Sequence, residues 1–250
     1  MEAHPLFVPL ISILAGFIDA IAGGGGLITI PMWTLVMGPG AHVVATNKVG
    51  ACASCVMALW VYQRHHPVPW REGFWFLVAI SLGSFMGSQL TGLVPAHIFA
   101  WMLLALCPLI LMIVWSKERL FAERPAGPTA ISKFVLAGLL VGIYDGFFGP
   151  GGGTFMLLAL LWFTSMPLMS ALALSKLANS LSAGISLGGF ALQGLVDWRW
   201  GAIGGLSIVI GSFMGAQLTK RKTVGVVKPA LTVVVILLMA KLLWDQLKGP

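Results

Sequence analysis

Apolar residues in this chain neither alternate with polar ones nor keep to one helical stripe; they run on for whole spans. Stretches of the length that crosses a bilayer, about 20 residues, recur at 43–63, 72–92, 97–116, 170–193, 201–218 and 229–247. A helix that is apolar all round belongs in lipid or in a large core. Two further apolar stretches are cut by glycine, "IDAIAGGGGLITIP" at 18–31 and "GIYDGFFGPGGGT" at 142–154. Glycine loses about 1 kcal/mol per residue against alanine in a helix, so a run of four predicts an outright break. The pieces that follow, 27–38 and 154–165, hold about 12 residues and at about 1.5 Å each cover only half of the hydrocarbon core. Each is expected to pair with the segment before it as a re-entrant or broken-helix hairpin whose two ends lie on one side of the membrane.

The same text occurs twice. "GSFMGSQLTG" (83–92) and "GSFMGAQLTK" (211–220) differ at two of ten positions and stand 128 residues apart. At that offset Trp70-Arg71 meets Trp198-Arg199, Gly73 meets Gly201 and Lys48 meets Lys176. Nearer the starts, "GFIDAIAGGGG" answers "GIYDGFFGPGGG", with Asp19 and Asp145 offset by 126. A co-linear series that includes Asp, Lys, Trp and Arg is a tandem duplication. Its halves are 1–120 and 131–250, joined by a cytoplasmic linker at 121–130 within the charged stretch "SKERLFAERPAGPT". Each half reads as a glycine-broken hairpin followed by three full spans. The first segment has an A-x-A-like "AIA" but no preceding Lys or Arg. With an internal counterpart downstream, it reads as a retained span rather than a leader.

Composition and charge orient this plan. The chain is 58% hydrophobic and 9% charged, against about 25% charged in a soluble domain. The net charge of +7 does not build a nucleic-acid groove, because the basic residues lie between spans. Arg64 and Arg71 share one loop, Lys117, Arg119, Arg124 and Lys133 the linker, and Lys220, Arg221, Lys222 and Lys228 a third. All three loops are cytoplasmic, as the positive-inside rule asks, only if an odd number of crossings separates the two starts. The expected fold is therefore an all-α polytopic membrane protein of two inverted-topology repeats with both termini extracytoplasmic; Arg199 is left outside as the copy of Arg71. The tryptophans of "PWREGFW" and "DWRWG" fall at span ends, where interfacial anchors belong.

Chemistry enters with ionisable residues inside spans, which are costly there and default to functional candidates. Lys48 in "ATNKVGACAS" and Lys176 in "ALSKLANSLS" lie early in equivalent spans. Two readings are open: the lysines pair with Asp19 and Asp145, or they face one cavity as an anion site. Thr46, Asn47, Ser175 and Asn179 make both surroundings donor-rich, and half-helix N-termini at Gly25, Gly26, Gly152, Gly153 and Thr154 add unpaired N–H groups and a positive dipole end. Broken helices in inverted repeats hold substrates near the midplane in this way, which favours the anion site. Asp19 and Asp145 read as structural, with a coupling proton as their alternative role. Gln89 and Gln217 either extend the lining or bond between helices. Cys52 and Cys55 form a CxxC spacing, but their small neighbours favour helix packing over redox or metal chemistry. No metal-ligand spacing, cofactor motif or hydrolase motif stands out; "GPGGGT" lacks the ending of a phosphate-binding loop.

The duplicated starts, followed by "TNK" and "LSK", resemble the sulfite exporter TauE/SafE family over essentially the whole chain. The resemblance implies an inner-membrane permease, not an enzyme, for sulfite, sulfoacetate or related organosulfonates. The expected partners are that small anion, the lipid bilayer that the composition calls for and a second copy of the chain in a homodimer, with no nucleic acid. A sulfonate stays anionic and offers three acceptor oxygens, though carboxylates and phosphate satisfy similar donors. A passive anion channel or a non-transporting membrane assembly subunit are the alternatives. Inserted Pro150 and the missing I-x-I-P predict a differently shaped second glycine loop.

The topology has a direct check. A cysteine introduced at Thr129 is expected to resist an impermeant thiol reagent added outside intact cells, and efficient labelling there overturns the inverted arrangement.

Overall fold

The computed structural model describes residues 7–38, 40–64, 67–91, 130–164 and 166–221, with single positions 229, 232, 236, 240 and 244 beyond them. Among these residues the elements are α-helices: α1 (Phe7–Ala22), α2 (Gly25–Met37), α3 (Ala41–Gln63), α4 (Phe74–Leu90), α5 (Ile131–Phe147), α6 (Gly152–Phe163), α7 (Leu168–Leu192) and α8 (Trp198–Arg221). The expected span at 97–116 lies outside the described residues, as do the linker up to 129 and all of 229–247 except those five positions. Three helices are long and apolar enough to cross a membrane, at Ala41–Gln63, Leu168–Leu192 and Trp198–Thr219. The span expected at 72–92 is shorter, because residues 70–73 form a turn that Gly73 closes onto Pro69 O. Apolar side chains such as Leu10, Leu82, Phe85, Leu140 and Leu206 are exposed, while Asp, Lys, Ser and Thr are buried between helices. That distribution suits a lipid surround.

The glycine run does not abolish the helix as expected; it narrows the break to Gly23 and Gly24, and Gly25 and Gly26 form the first turn of α2. N–H groups in a first turn have no helical acceptor in any case, so glycine there costs little, and one of them is held from outside the helix: Gly25 N donates to Asp19 Oδ1 (3.2 Å). The second break is wider, spanning 148–151, with Gly149 and Gly151 at φ 92° and 76° where the first has only Gly23 at 78°. The loop carrying Pro150 is thus shaped differently, as expected. The half-length segments come out as α2, 13 residues, and α6, 12 residues, packed against α1 and α5 respectively.

Packing divides the helices into two groups that mix the halves. α4 lies on α5 and α7, and α8 lies on α1 and α3, so each group takes three helices of one half and the fourth of the other. The groups are α1, α2, α3 and α8, and α4, α5, α6 and α7; between them run the α3–α7 contact and a smaller one between α1 and α6. Glycine makes the exchanged contacts close. On α4 and α5, Gly83, Gly87, Gly138, Gly142 and Gly146 face backbone of the opposite helix, so a Cβ on Gly138 would meet Phe76 O at 2.7 Å. On α1 and α8, Gly16 sits on Ile208 O, Gly211 on Ile13 O and Gly215 on Phe17 O. Small residues at helix interfaces let backbones approach and add dispersion contacts that lipid cannot match.

Alanine at Gly146 or Gly211 is therefore expected to destabilise the protein by about 1–3 kcal/mol through overpacking. Alanine at Gly184, where a Cβ meets nothing within 4 Å, should be neutral or stabilising. Unfolding in mixed micelles of rising SDS content measures both.

Candidate functional site

The two helix breaks touch. Thr154 N donates to Gly23 O (3.1 Å) and Thr154 Oγ1 to Ala22 O (2.8 Å), while Gly26 lies against Pro150 Cα. The N-terminal turns of α2 and α6 thus meet at the centre of the molecule, from opposite packing groups. Each break leaves a negative helix end, the last carbonyls of α1 or α5, next to a positive one, the first amides of α2 or α6.

Both ends are served by one aspartate and one lysine, and the lysine comes from the other group. Lys48 on α3 reaches α5, donating to Asp145 O (2.6 Å) and Asp145 Oδ2 (3.0 Å). Lys176 on α7 reaches α1, donating to Asp19 O and lying 3.5 Å from Asp19 Oδ2. Each ammonium therefore takes both a helix-terminal carbonyl and the carboxylate of the same residue. The carboxylates in turn face the half-helix starts: Asp19 Oδ1 accepts from Gly25 N, and a Cβ on Gly152 would collide with Asp145 Oδ1. All four charged residues are buried, the lysines to 2% and 1% exposure. Pairing with the aspartates, one of the two readings open from sequence, is what the structure holds.

Each aspartate has a serine pair behind it. Ser182 donates to Asp145 Oδ2 and contacts Ser84. Ser54 donates to Asp19 Oδ2 (2.6 Å), with Ser212 at 3.2 Å. These four serines were missing from the sequence-derived set, yet Ser54 matches Ser182 and Ser84 matches Ser212 at the same 128-residue offset as the lysines. Requiring every duplicated polar residue to be accounted for would have found them. Cys55, without a polar counterpart, lies 3.7 Å from Asp19 Oδ2, and Cys52 Sγ lies 4.0 Å from Ser180 O; both thiols are free.

The other expected lining residues divide. Asn47 is near the breaks, bonded to Thr29 and close to Gly26, and Asn179 Nδ2 stands beside Gly153. Thr46 is spent elsewhere, its Oγ1 accepting from Asp197 N (3.0 Å) at the start of α8, where Asp197 Oδ1 also takes Trp200 N. Ser175 Oγ turns back to Leu172 O (2.8 Å) within its own helix. Gln89 is exposed and Gln217 half-buried; Gln89 Nε2 lies 3.5 Å from Ser88 Oγ.

Buried charge, broken helices and duplication describe a membrane protein built around a central polar point, and the comparison with known families gives it a place. The model of the family described as Sulfite exporter TauE/SafE matches residues 8–242. The chain belongs to the TauE/SafE family. Among curated relatives, a "Probable membrane transporter protein" of Haemophilus influenzae is 33% identical over 242 residues, covering 94% of this chain and 93% of the relative. The "Probable membrane transporter protein YfcA" of Escherichia coli K12 is 34% identical, covering 94% and 88%. A Sinorhizobium relative named "Probable membrane transporter protein ORF9" is 31% identical, covering 96% and 92%. No solved structure matches the chain significantly. The TauE/SafE chain is thus a multi-pass membrane protein of a transporter family.

The crossing of the pairs is testable by charge removal. Lys48→Met leaves Asp145 buried without its partner, a loss of about 3–5 kcal/mol. Adding Asp145→Leu should restore most of that stability, whereas adding Asp19→Leu should not. Restoration by Asp19→Leu in SDS-unfolding measurements would reverse the assignment of partners.

Proposed function

We propose that this protein is a secondary transporter of small sulfur-containing anions, sulfite, sulfoacetate or a related organosulfonate, in the cell inner membrane. The observation that carries the reading is the crossed Lys–Asp pairing at two helix breaks that touch. An incoming sulfonate has the same chemistry as the carboxylate it meets. Its three oxygens accept from the ammonium of Lys48 or Lys176 and from the first amides of α2 and α6, around Gly26, Gly153 and Asn179. The anion takes an ammonium over from its aspartate, so binding loosens a tie between the two packing groups. Rocking of those groups about the α3–α7 contact then exposes the centre to one face or the other. Irregular backbone at such depth is tolerable where it lines a site of this kind.

The buried lysines in this conformation fit an occluded state, closed on both sides. The two halves, 1–120 and 131–250, are read as inverted repeats, so that equivalent elements gate opposite faces. Polar residues gathered at one paired mid-span point favour a carrier over a channel, which needs a continuous polar stripe. Conservation of both charge signs in both copies gives a plain scaffold no role for them.

Purified protein in liposomes should exchange labelled sulfite or sulfoacetate saturably. One charge-assisted hydrogen bond contributes roughly 1.5–3 kcal/mol, so Lys48→Gln or Lys176→Gln should weaken binding by about one to two decades. Lys→Arg at either site should rescue poorly, since the planar fork does not fit a place shaped for an ammonium. Lys222→Gln should have no effect. Unchanged affinity in both folded single variants removes the anion site.

A further inference from the structure

The two Lys–Asp pairs are copies, but the ground behind them is not. Behind Asp145, the α4/α7 contact is lined with hydroxyls: Ser182 and Ser84, then Ser186 one turn on along α7 and Ser88 one turn on along α4. Ser88 Oγ lies 3.3 Å from the Cβ position of Gly189, and Gln89 follows at the exposed end. Ser186 Oγ is fully buried and has no hydrogen-bond partner among the described residues. Gly184 and Gly188, on the opposite face of α7 from Ser182 and Ser186, are exposed, and a Cβ there meets nothing within 4 Å among the described residues.

Behind Asp19, the matching α3/α8 contact starts with Ser54 and Ser212, has alanine in the next turn of each helix, and ends at the buried hydroxyls of Tyr62 and Thr219. Ala58 stands for Ser186, Ala216 for Ser88, Trp60 and Val61 for Gly188 and Gly189. Ala58, Val61, Tyr62 and Ala216 form one buried cluster with Ala20 and Ala173, closed by Tyr62 Oη donating to Ala20 O (2.7 Å).

We propose that the α4/α7 serine seam admits water and protons to Asp145, so that Lys48–Asp145 is the pair that a proton opens, while no such route leads to Lys176–Asp19. A buried hydroxyl with no protein partner is the mark of a seam that water occupies. Intramembrane chains of this kind serve as proton relays. A proton taken from water near Gln89 passes along the hydroxyls and adds to Asp145 Oδ2. The acid is neutral, and the Lys48 ammonium keeps its charge without a counter-charge. Among the described residues the ionisable groups near Asp145 are Lys48 and Cys55 on α3, with the Lys176–Asp19 pair beyond; α4, α6 and α7 present hydroxyl and backbone groups to its carboxylate. The coupling to transport rests on the anion reading above: two lysines and two aspartates sum to zero, so one proton entering with one anion keeps the centre neutral. Proton access itself does not depend on that reading.

The test needs no substrate. Purified protein in lipid is taken by rapid mixing from about pH 8 to about pH 3.5, a range that crosses the ordinary carboxylate region at about pH 4, and the protonated-carboxyl infrared band is followed in time. A band is expected that Asp145→Asn removes, Asp145→Glu moves in frequency and Asp19→Asn leaves. Ser186→Val should slow its appearance about tenfold by interrupting the relay, and Ser186→Thr should restore the rate. The Glu variant and the serine variants keep the test informative if Asp145→Asn fails to fold. A band that follows Asp19, no band at all, or an unchanged rate in Ser186→Val overturns the proposal. If the band behaves as expected but sulfite and sulfoacetate are not transported, only the anion reading fails.

Discussion

A helix broken inside a membrane exposes carbonyls on one side of the gap and amides on the other, with no water to satisfy either. Everything central in this protein follows from how that gap is closed. An aspartate three residues before the end of α1, and another two before the end of α5, offers its carboxylate forward, toward the first turn of α2 or α6. A lysine from the opposite packing group takes the carboxylate and the aspartate's own carbonyl together. The cost of burying either charge alone is several kcal/mol, and here each is buried only in company. The break, the pair and the contact between groups are thus one interaction.

The glycine seams give that interaction its mechanical meaning. Where Gly146 sits on Ser84 and Gly211 on Ile13, backbones are in contact and no side chain is left to re-pack. Such contacts hold α4 to α5 and α8 to α1 as fixed units. The aspartate and its serine pair lie inside one group each: Asp145, Ser182 and Ser84 in one, Asp19, Ser54 and Ser212 in the other. Only the lysine reaches across. Motion between the groups therefore bears on the lysine contacts and on the backbone bond from Thr154 to Gly23, while each carboxylate keeps its serines.

Much of this was legible in the sequence because duplication marks positions that composition alone hides. The offset of 128 residues singled out Lys48 and Lys176, and the glycine runs located both breaks. What the sequence could not supply was direction in space. A lysine and an aspartate 97 residues apart are brought together by packing, not by spacing, so the sequence favours an anion site while leaving the pairing open. Thr46 and Ser175 looked like lining because they neighbour Asn47 and Lys176 in the chain, but adjacent helical residues point about 100° apart. The break was narrower than propensity suggested, since propensity does not know that a first-turn amide finds a carboxylate. The serines went unnoticed for the opposite reason: in a greasy helix a lone serine reads as a small residue.

Duplication also sets the terms on which the two copies part ways. If the halves are inverted as proposed, hydroxyls added behind one pair lead toward one end of the bundle only. A seam that carried Ser186 and Ser88 in both copies would give protons a polar line from each end to the centre. Replacing both by Ala58 and Ala216, packed with Val61 and Tyr62 in one buried cluster, leaves the proposed proton route on one side only. A duplicated carrier that used protons at both pairs at once would join its two faces by a nearly continuous polar path. Keeping one pair off that route lets the molecule retain twofold packing, which both breaks need, without twofold proton access.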